Sequence, residues 1–247
     1  MGSKNLKAIV VKGHNRIVDV AQPEKYEELR KSINSTIKES LAAGLTGENG
    51  TAANLEVGMF AGDVPIRNFT SNFNEEMGDA LGGSALADNY LTRRRACAYC
   101  SIACKRVVEV KDGPFNIPNG SGPEYETIVA FGSLMNSDDL AASCKAGRIC
   151  NDFGMDTISA GVTIAWAMEA AEKGDLSITD LDSIDLKWSD LETVVEVILP
   201  KIAQRDGKLG NLLQLLCIKS GKTRSIIQRK VKAWKHPCMI PEVEVMV

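Results

Sequence analysis

The sequence predicts a mainly α-helical protein with a few short strands. Two stretches carry most of this expectation, DDLAASCKAGRICNDFG over 138–154 and TISAGVTIAWAMEAAEKG over 157–174. Each is long enough for several helical turns, and each has a glycine where a helix is expected to end. Runs rich in β-branched residues are short and few, so the sheet content is expected to be small.

The first elements along the chain are a strand and a long helix. The run NLKAIVVKG over 5–13 is apolar and β-branched, and it predicts a strand. Residues 23–44 predict an amphipathic helix, with Pro23 in its first turn and Gly44 at its end. Its apolar stripe is formed by Tyr26, Leu29, Ile33, Ile37 and Leu41.

The next part of the chain predicts loops and one strand. Residues 45–90 contain several glycines and are expected to be rich in loops, with an extended segment DVPIRNF over 63–69. The run KRVVEVKDGPF over 105–115 predicts a strand followed by a turn.

The later helices have recognisable ends. The helix over 138–154 is expected to begin near Ser137, which can cap it, and to end at Gly154. A last helix over 189–207 is expected to bend or break near Pro200, because proline cannot donate a helical hydrogen bond.

Composition and charge limit the classes of protein to which this sequence can belong. The 247 residues carry a formal net charge of -3 and are 44% hydrophobic, which is typical of a soluble globular chain with a buried core. We expect neither nucleic acid nor a membrane as a partner, since basic residues are not in excess and no apolar run is long enough to span a bilayer. The 7 cysteines are odd in number and partly bunched, which favours metal binding in a reducing compartment, the cytoplasm.

Three cysteines lie close together in RRRACAYCSIACKRVVEV, where Cys97, Cys100 and Cys104 form a C-x2-C-x3-C pattern. Thiolates are soft ligands that suit iron–sulfur clusters and zinc. The flanking Lys105 and Arg106 would offset the negative charge of a thiolate-bound centre. An iron–sulfur cluster is favoured, while a zinc site and three incidental buried cysteines remain open alternatives.

The remaining polar motifs have structural explanations when each is taken alone. Cys144 and Cys150 fall on a predicted helix and are expected to be small buried core residues. In GPEYET, Glu124 and Glu126 would point the same way in an extended segment and could transfer protons, but acids in the first turn of a helix are the simpler explanation.

The stretch NDFGMDTISAG over 151–161 predicts a capped helix start. Asp156, Thr157 and Ser159 are residues that cap helices. Backbone amides at such a start can also bind an anion such as phosphate, which stays open as a second interpretation.

In combination, the cysteine cluster, GPEYET and CNDFGMDTISAG strongly resemble the aldehyde ferredoxin oxidoreductase family of tungsten or molybdenum pterin enzymes. The segments GSKNLKAIVVKG and VPIRNF look like the same family. The resemblance covers residues 1–213, and it implies the multihelical middle domain of that family.

The resemblance implies cofactors and roles for particular residues. Cys97, Cys100 and Cys104 match three ligands of a [4Fe–4S] cluster, and the missing fourth lies in a further domain of the family. The NDFGMD stretch resembles the D-x-x-G-L-D motif that binds a tungsten or molybdenum bis-pterin, which implies cofactor binding by Asn151, Gly154 and Asp156. Asn151 stands where the motif has aspartate. Glu126 falls where the family has an acid close to the metal and is the implied proton-transfer residue.

The resemblance also implies a domain organisation truncated at both ends. Residues 1–13 would be the last strand of a missing N-terminal β domain, and residues 14–213 the helical domain that binds cluster and pterin. Residues 214–247 do not resemble the family, and we expect them to be an out-of-frame translation, because another frame of codons that could encode them resembles the family's downstream sequence.

The implied activity is the oxidation of an aldehyde to a carboxylic acid, or the reverse, with ferredoxin as the electron partner. A chain without the family's other domains is expected to be inactive by itself. Two alternatives stay open: a stand-alone iron–sulfur electron-transfer protein, and a zinc-stabilised interaction module.

Overall fold

A computed structural model of the chain describes residues 8–13 and 19–218. The chain divides into two compact units, Met1–Leu41 and Ala42–Val247. In the first unit, helix α1 spans Pro23–Glu39 and has no buried residue. It ends because Ser40 takes an extended conformation, so the predicted end at Gly44 is wrong.

The predicted strand over 5–13 does not form in its described part. Residues 8–13 have neither helical nor strand structure. Ile9, Val10 and Val11 are all largely exposed. A strand is defined by hydrogen bonds to a neighbouring strand, and residues 8–13 have no such neighbour in the described chain.

Helices occupy most of the segment that the sequence predicted to be loops. Within 45–90 the chain forms α2 (Leu41–Asn49), a 3-10 turn (Thr51–Asn54), α3 (Leu55–Ala61), α4 (Glu75–Leu81) and α5 (Gly83–Tyr90). Glycine allows helices to pack closely here, because a Cβ added to Gly83 would lie 2.6 Å from the Asn49 carbonyl oxygen. The expectation of a loop-rich segment is therefore wrong.

A left-handed turn replaces part of the predicted extended segment 63–69. Arg67, Asn68 and Phe69 have φ angles of 45°, 46° and 65°. The Arg67 and Asn68 amides donate to the carbonyl oxygens of Ser133 and Leu134, both at 2.9 Å. The Asn68 side chain also donates to Glu169, and both side chains are buried. These contacts hold a conformation that L-residues rarely adopt.

The sheet consists of β1 (Leu91–Arg95), β2 (Lys105–Val110) and β3 (Ile117–Ser121), paired antiparallel in that order. The predicted strand over 105–115 is confirmed over its β2 part, which buries Val107, Val108 and Val110. The pattern did not predict the two outer strands, because β1 is largely exposed and rich in arginine, and β3 contains proline and glycine.

The core is built mainly by α6 (Tyr125–Phe131), α7 (Leu140–Phe153) and α8 (Thr157–Glu172). The helices predicted over 138–154 and 157–174 are confirmed. Asp139, rather than Ser137, caps α7, since its side chain accepts from the Ala142 amide at 2.8 Å. Gly154 ends α7 with a φ of 69°, the left-handed conformation that glycine adopts freely.

The last predicted helix is not broken near Pro200. A π-helical turn shifts its hydrogen-bond pattern there by one residue. Helix α9 (Leu191–Thr193), a π-helical segment (Val194–Ile198) and α10 (Leu199–Gln204) follow one another directly. The Leu199 amide donates to Val194, five residues earlier. The wider turn lies just before Pro200, which lacks an amide hydrogen and crowds the preceding turn. Helix α11 (Gly207–Ile218) follows.

Part of the sequence prediction lies outside the described residues. This holds for most of the tail over 214–247 and for the beginning of the 1–13 segment. In the part of the chain that the structure describes, no helix has the length and apolar character to cross a membrane.

Candidate cysteine and cofactor site

The three clustered cysteines lie in one loop, residues 96–104, between β1 and β2. Cys97 and Cys100 are exposed, and Cys104 is partly exposed. The Cys100 amide donates to the Cys97 carbonyl oxygen at 3.1 Å. Tyr99 and Ala103 have φ angles of 62° and 57°, so the loop turns sharply just before Cys100 and again just before Cys104. The hairpin therefore presents all three thiols from one short segment.

The thiols are suitable ligands for a soft metal centre. The pKa of the Cys100 thiol is lowered by hydrogen bonds from the Ile102 and Ala103 amides, which favours the thiolate that binds metal. Among the described residues, no three of the His, Cys, Asp and Glu side chains are gathered closely enough to hold a metal ion. The donor set thus fits an iron–sulfur cluster in chemistry, and binding would have to draw the thiols together.

Arg106 fastens this loop to the end of α2. Its side chain is 2% exposed. Its guanidinium donates to the carbonyl oxygens of Ala103 and Cys104 in the loop, at 2.8 and 3.0 Å. It also donates to Gly47 and Glu48 in α2, at 2.8 and 2.5 Å. Sequence reasoning assigned Arg106 only a charge near the cysteines and missed these contacts between distant segments.

The two acids of GPEYET do not act as a pair. Glu124 precedes α6 and accepts a hydrogen bond from the Thr51 hydroxyl at 2.8 Å. Glu126 lies in the first turn of α6 and is exposed. The two carboxylates were expected to point the same way if the segment were extended. The segment turns into a helix at Tyr125, and residues two apart on a helix do not face each other.

The residues of the NDFGMD motif form the turn between α7 and α8. Asn151 is exposed in the last turn of α7, and Gly154 ends that helix. Asp156 caps α8, because its side chain accepts from the Ser159 amide at 2.7 Å. The capping interpretation of this motif is confirmed. The next residue, Thr157, lies 2.9 Å from the Thr127 hydroxyl oxygen.

The two motifs meet at one cavity of about 250 Å³. Its walls include Glu124, Asn151 and Thr157, and they do not include Glu126, Gly154 or Asp156. Two basic residues, Lys105 and Arg148, also line it. The cavity is therefore polar, with positive charge beside one carboxylate.

Sequence reasoning did not single out Arg148. The Arg148 side chain is held by Asp152, one helical turn later, at 3.0 Å. A Cβ added to Gly120 in β3 would lie 2.9 Å from its guanidinium, so the glycine leaves room for it. The four-residue spacing of Arg148 and Asp152 was a signal for the ion pair but not for the cavity.

The remaining described thiols are part of the core. Cys144 and Cys150 are 2% and 0% exposed, which confirms the expectation from the sequence. Burial raises the pKa of Cys144 to about 12. Neither belongs to a group of three or more potential metal ligands among the described residues.

Residues 28–215 match the family model described as aldehyde ferredoxin oxidoreductase, domains 2 & 3. The chain is 35% identical over 209 residues to a tungsten-containing aldehyde ferredoxin oxidoreductase of Pyrococcus furiosus, covering 84% of this chain and 33% of the relative. It is 37% identical over 217 residues to the protein of the same name from Pyrococcus abyssi, covering 86% and 34%. The chain thus spans about a third of the length of these relatives.

A more distant relative and a solved structure extend the comparison. An aliphatic sulfonate oxidoreductase, WOR-like subunit, of Pyrococcus furiosus is 27% identical over 216 residues, covering 86% of this chain and 33% of the relative. The fold is similar to a chain of the active site complex BamBC of benzoyl coenzyme A reductase, with a TM-score of 0.59 and 21% identity. That match covers 78% of this chain and 30% of the other.

Proposed function

The chain belongs to the aldehyde ferredoxin oxidoreductase family, and we propose that it forms the cluster-binding helical part of an oxidoreductase that interconverts aldehydes and carboxylic acids. Electrons pass through a [4Fe–4S] cluster to ferredoxin. The second cofactor is tungsten or molybdenum held by a bis-pterin. Because the chain is a third of the length of its relatives, it contributes part of this machinery.

The observation that carries the proposal is the position of Cys97, Cys100 and Cys104 in one loop. Three thiols between two paired strands can converge on a single centre without rearranging the core. Only the part of the loop before Ala103 needs to move, because Arg106 already holds Ala103 and Cys104. In the family a fourth ligand comes from another domain. Arg106, which is buried beside the loop, provides positive charge that offsets the thiolates.

The cavity at the α7–α8 turn supports a role for the pterin motif. Asn151 lines the cavity, while Gly154 and Asp156 form the turn beside it. We assign all three residues to pterin binding. The amide of Asn151 can both donate and accept hydrogen bonds, whereas the aspartate of the family motif only accepts when it is ionised.

Glu126 is the proposed proton-transfer residue. It is exposed at the first turn of α6 and directly precedes Thr127, which lines the cavity. An exposed carboxylate can exchange protons with water and with a group bound on the same surface. The bound metal would supply the two-electron chemistry. We place the protein in the cytoplasm, where thiols remain reduced.

The test is anaerobic reconstitution of the full 247-residue chain with iron, sulfide and a small thiol that can serve as the fourth ligand. We expect bound iron and sulfide with the visible absorption and electron paramagnetic resonance of an iron–sulfur cluster. Cys97→Ser, Cys100→Ser and Cys104→Ser should each lose most of the iron. Cys144→Ala, which removes a buried thiol away from the loop, should keep it.

Other outcomes separate the alternatives. Preferential binding of zinc, with a colourless and redox-silent product, would contradict the proposal and indicate an interaction module. A stable cluster that forms without the small thiol would show that the chain itself supplies the fourth ligand, and would indicate a stand-alone electron-transfer protein.

A further inference from the structure

Arg106 is a buried cation held entirely by backbone carbonyl groups. Its four hydrogen bonds go to Gly47, Glu48, Ala103 and Cys104. Arginine stays charged in proteins, and a buried charge is costly unless it is well solvated by polar groups. The described residues provide no carboxylate at ion-pair distance from Arg106. Its longer-range charge interactions are repulsion by Arg94 and attraction by Cys104 and Glu124. The dipoles of four carbonyl groups therefore stabilise the buried positive charge, as a carboxylate usually does.

The two pairs of carbonyls come from segments that are far apart in sequence. Gly47 and Glu48 belong to the last turn of α2, whose carbonyls have no partner within the helix and carry the negative end of its dipole. Ala103 and Cys104 are the end of the cysteine loop. One planar guanidinium thus satisfies helix-end carbonyls and fixes the loop with the same set of bonds.

Close backbone contact reinforces this arrangement. A Cβ added to Gly47 would lie 2.9 Å from the Ile102 carbonyl oxygen, so the loop lies directly against α2. A Cβ added to Gly50, which has a φ of 75°, would lie 3.1 Å from the Arg106 side chain. Gly50 therefore leaves the space that the Arg106 side chain occupies.

We propose that Arg106 is a positioning residue, which fixes the cysteine loop against α2 and places a buried positive charge behind the third cysteine. The electrostatic part of this proposal rests on the proposed cluster function. A metal ligand binds best when its backbone is already held, because less motion is lost on binding. A nearby cation stabilises the more negative, reduced state of a thiolate-bound cluster, which raises its reduction potential.

Two variants separate geometry from charge. Arg106→Met removes both the charge and the hydrogen bonds, whereas Arg106→Lys keeps a charge but loses the planar fork that reaches four carbonyls. Arg95→Met is the matched control, since Arg95 is exposed and pairs with Lys105 across the hairpin, close to the same loop. It makes the same change in net charge as Arg106→Met.

The first measurement is amide hydrogen exchange of residues 97–104 in the metal-free chain. We expect exchange about tenfold faster or more in Arg106→Met and Arg106→Lys, because each loses hydrogen bonds to a charged group, and no change in Arg95→Met. Equal exchange in Arg106→Met and the unmodified chain would overturn the positioning role. If Arg106→Met loses its far-ultraviolet circular dichroism, Arg106→Lys decides the same question.

The second measurement is the iron content and reduction potential of the reconstituted chain. We expect Arg106→Met to retain less iron and to have a lower potential than Arg95→Met, and Arg106→Lys to keep a potential near that of the unmodified chain. Equal potentials in Arg106→Met and Arg95→Met would overturn the electrostatic role. An unmodified chain that binds no iron would overturn the proposed function, and hydrogen exchange alone then decides whether Arg106 positions the loop.

Discussion

The hydroxyl oxygens of Thr127 and Thr157 lie 2.9 Å apart, and this contact joins the first turns of α6 and α8 at the wall of the polar cavity. Thr127 ends the GPEYET motif, and Thr157 follows the NDFGMD motif. The two motifs are therefore parts of one site in space, although neither motif alone favoured a functional interpretation.

Replacing either threonine by valine tests this contact. Thr127→Val and Thr157→Val should each lower the free energy of unfolding by about 1 kcal/mol, the usual net value of one hydrogen bond. Because both remove the same bond, the double variant should cost less than the sum of the two. Denaturant unfolding measures all three, and additive losses would show that the hydroxyls do not interact.

The contact between Gly47 and the cysteine loop predicts a position-specific effect within α2. Gly47→Ala should destabilise the fold by about 1–3 kcal/mol, since its new methyl group would press on the Ile102 carbonyl. Gly44→Ala in the same helix is the control, because nothing lies within 4 Å of its added Cβ. It should instead stabilise the helix by up to about 1 kcal/mol. Thermal unfolding distinguishes them, and equal effects would rule out the contact.

The buried Cys144 thiol predicts a loss of stability at high pH. Its pKa rises from 9.0 to about 12 on folding, so the unfolded chain loses this proton first. The contribution of Cys144 is complete below pH 9 and declines as the pH rises towards 12. Denaturant unfolding across this range should show a shallower decline for Cys144→Ala than for the unmodified chain. Identical slopes would contradict the burial of this thiol.

The cap at Asp156 has a structural effect that is independent of any cofactor. In the cofactor-free chain, Asp156→Ala should lower the free energy of unfolding by about 1 kcal/mol, because the Ser159 amide loses its acceptor. Asp156→Ser should restore most of this stability, since serine also caps helices. Asp152→Ala, which removes an exposed ion pair with Arg148, should have an effect of at most about 0.5 kcal/mol. An equal loss in both alanine variants would contradict the cap.

The helices over 138–154 and 157–174 could be predicted because their ends carry local signals, Gly154 and Asp156 among them. The helices over 45–90 could not, since their glycines indicate loops when judged locally. Gly83 packs against the backbone near Asn49, and such a contact depends on the tertiary fold.

In the candidate site too, local features could be predicted from the sequence and long-range contacts could not. The spacing of Cys97, Cys100 and Cys104 predicted a shared loop, because residues so close in sequence cannot lie far apart in space. The contacts of Arg106 with Gly47 and of Arg148 with the cavity join segments distant in the chain. No local pattern encodes them, so they emerge only from the folded structure.

The left-handed turn at Arg67, Asn68 and Phe69 has a consequence for how handedness arises in this protein. L-amino acids disfavour this geometry by about 1–2 kcal/mol per residue, so a short peptide with the same sequence is expected to populate other conformations. The turn persists because partners more than sixty positions away, at Ser133 and Leu134, hold its amides. The left-handed conformation of this turn is therefore held in part from outside the segment. A residue of the opposite chirality at any of the three positions would fit the native backbone better than the L-residue that the ribosome supplies.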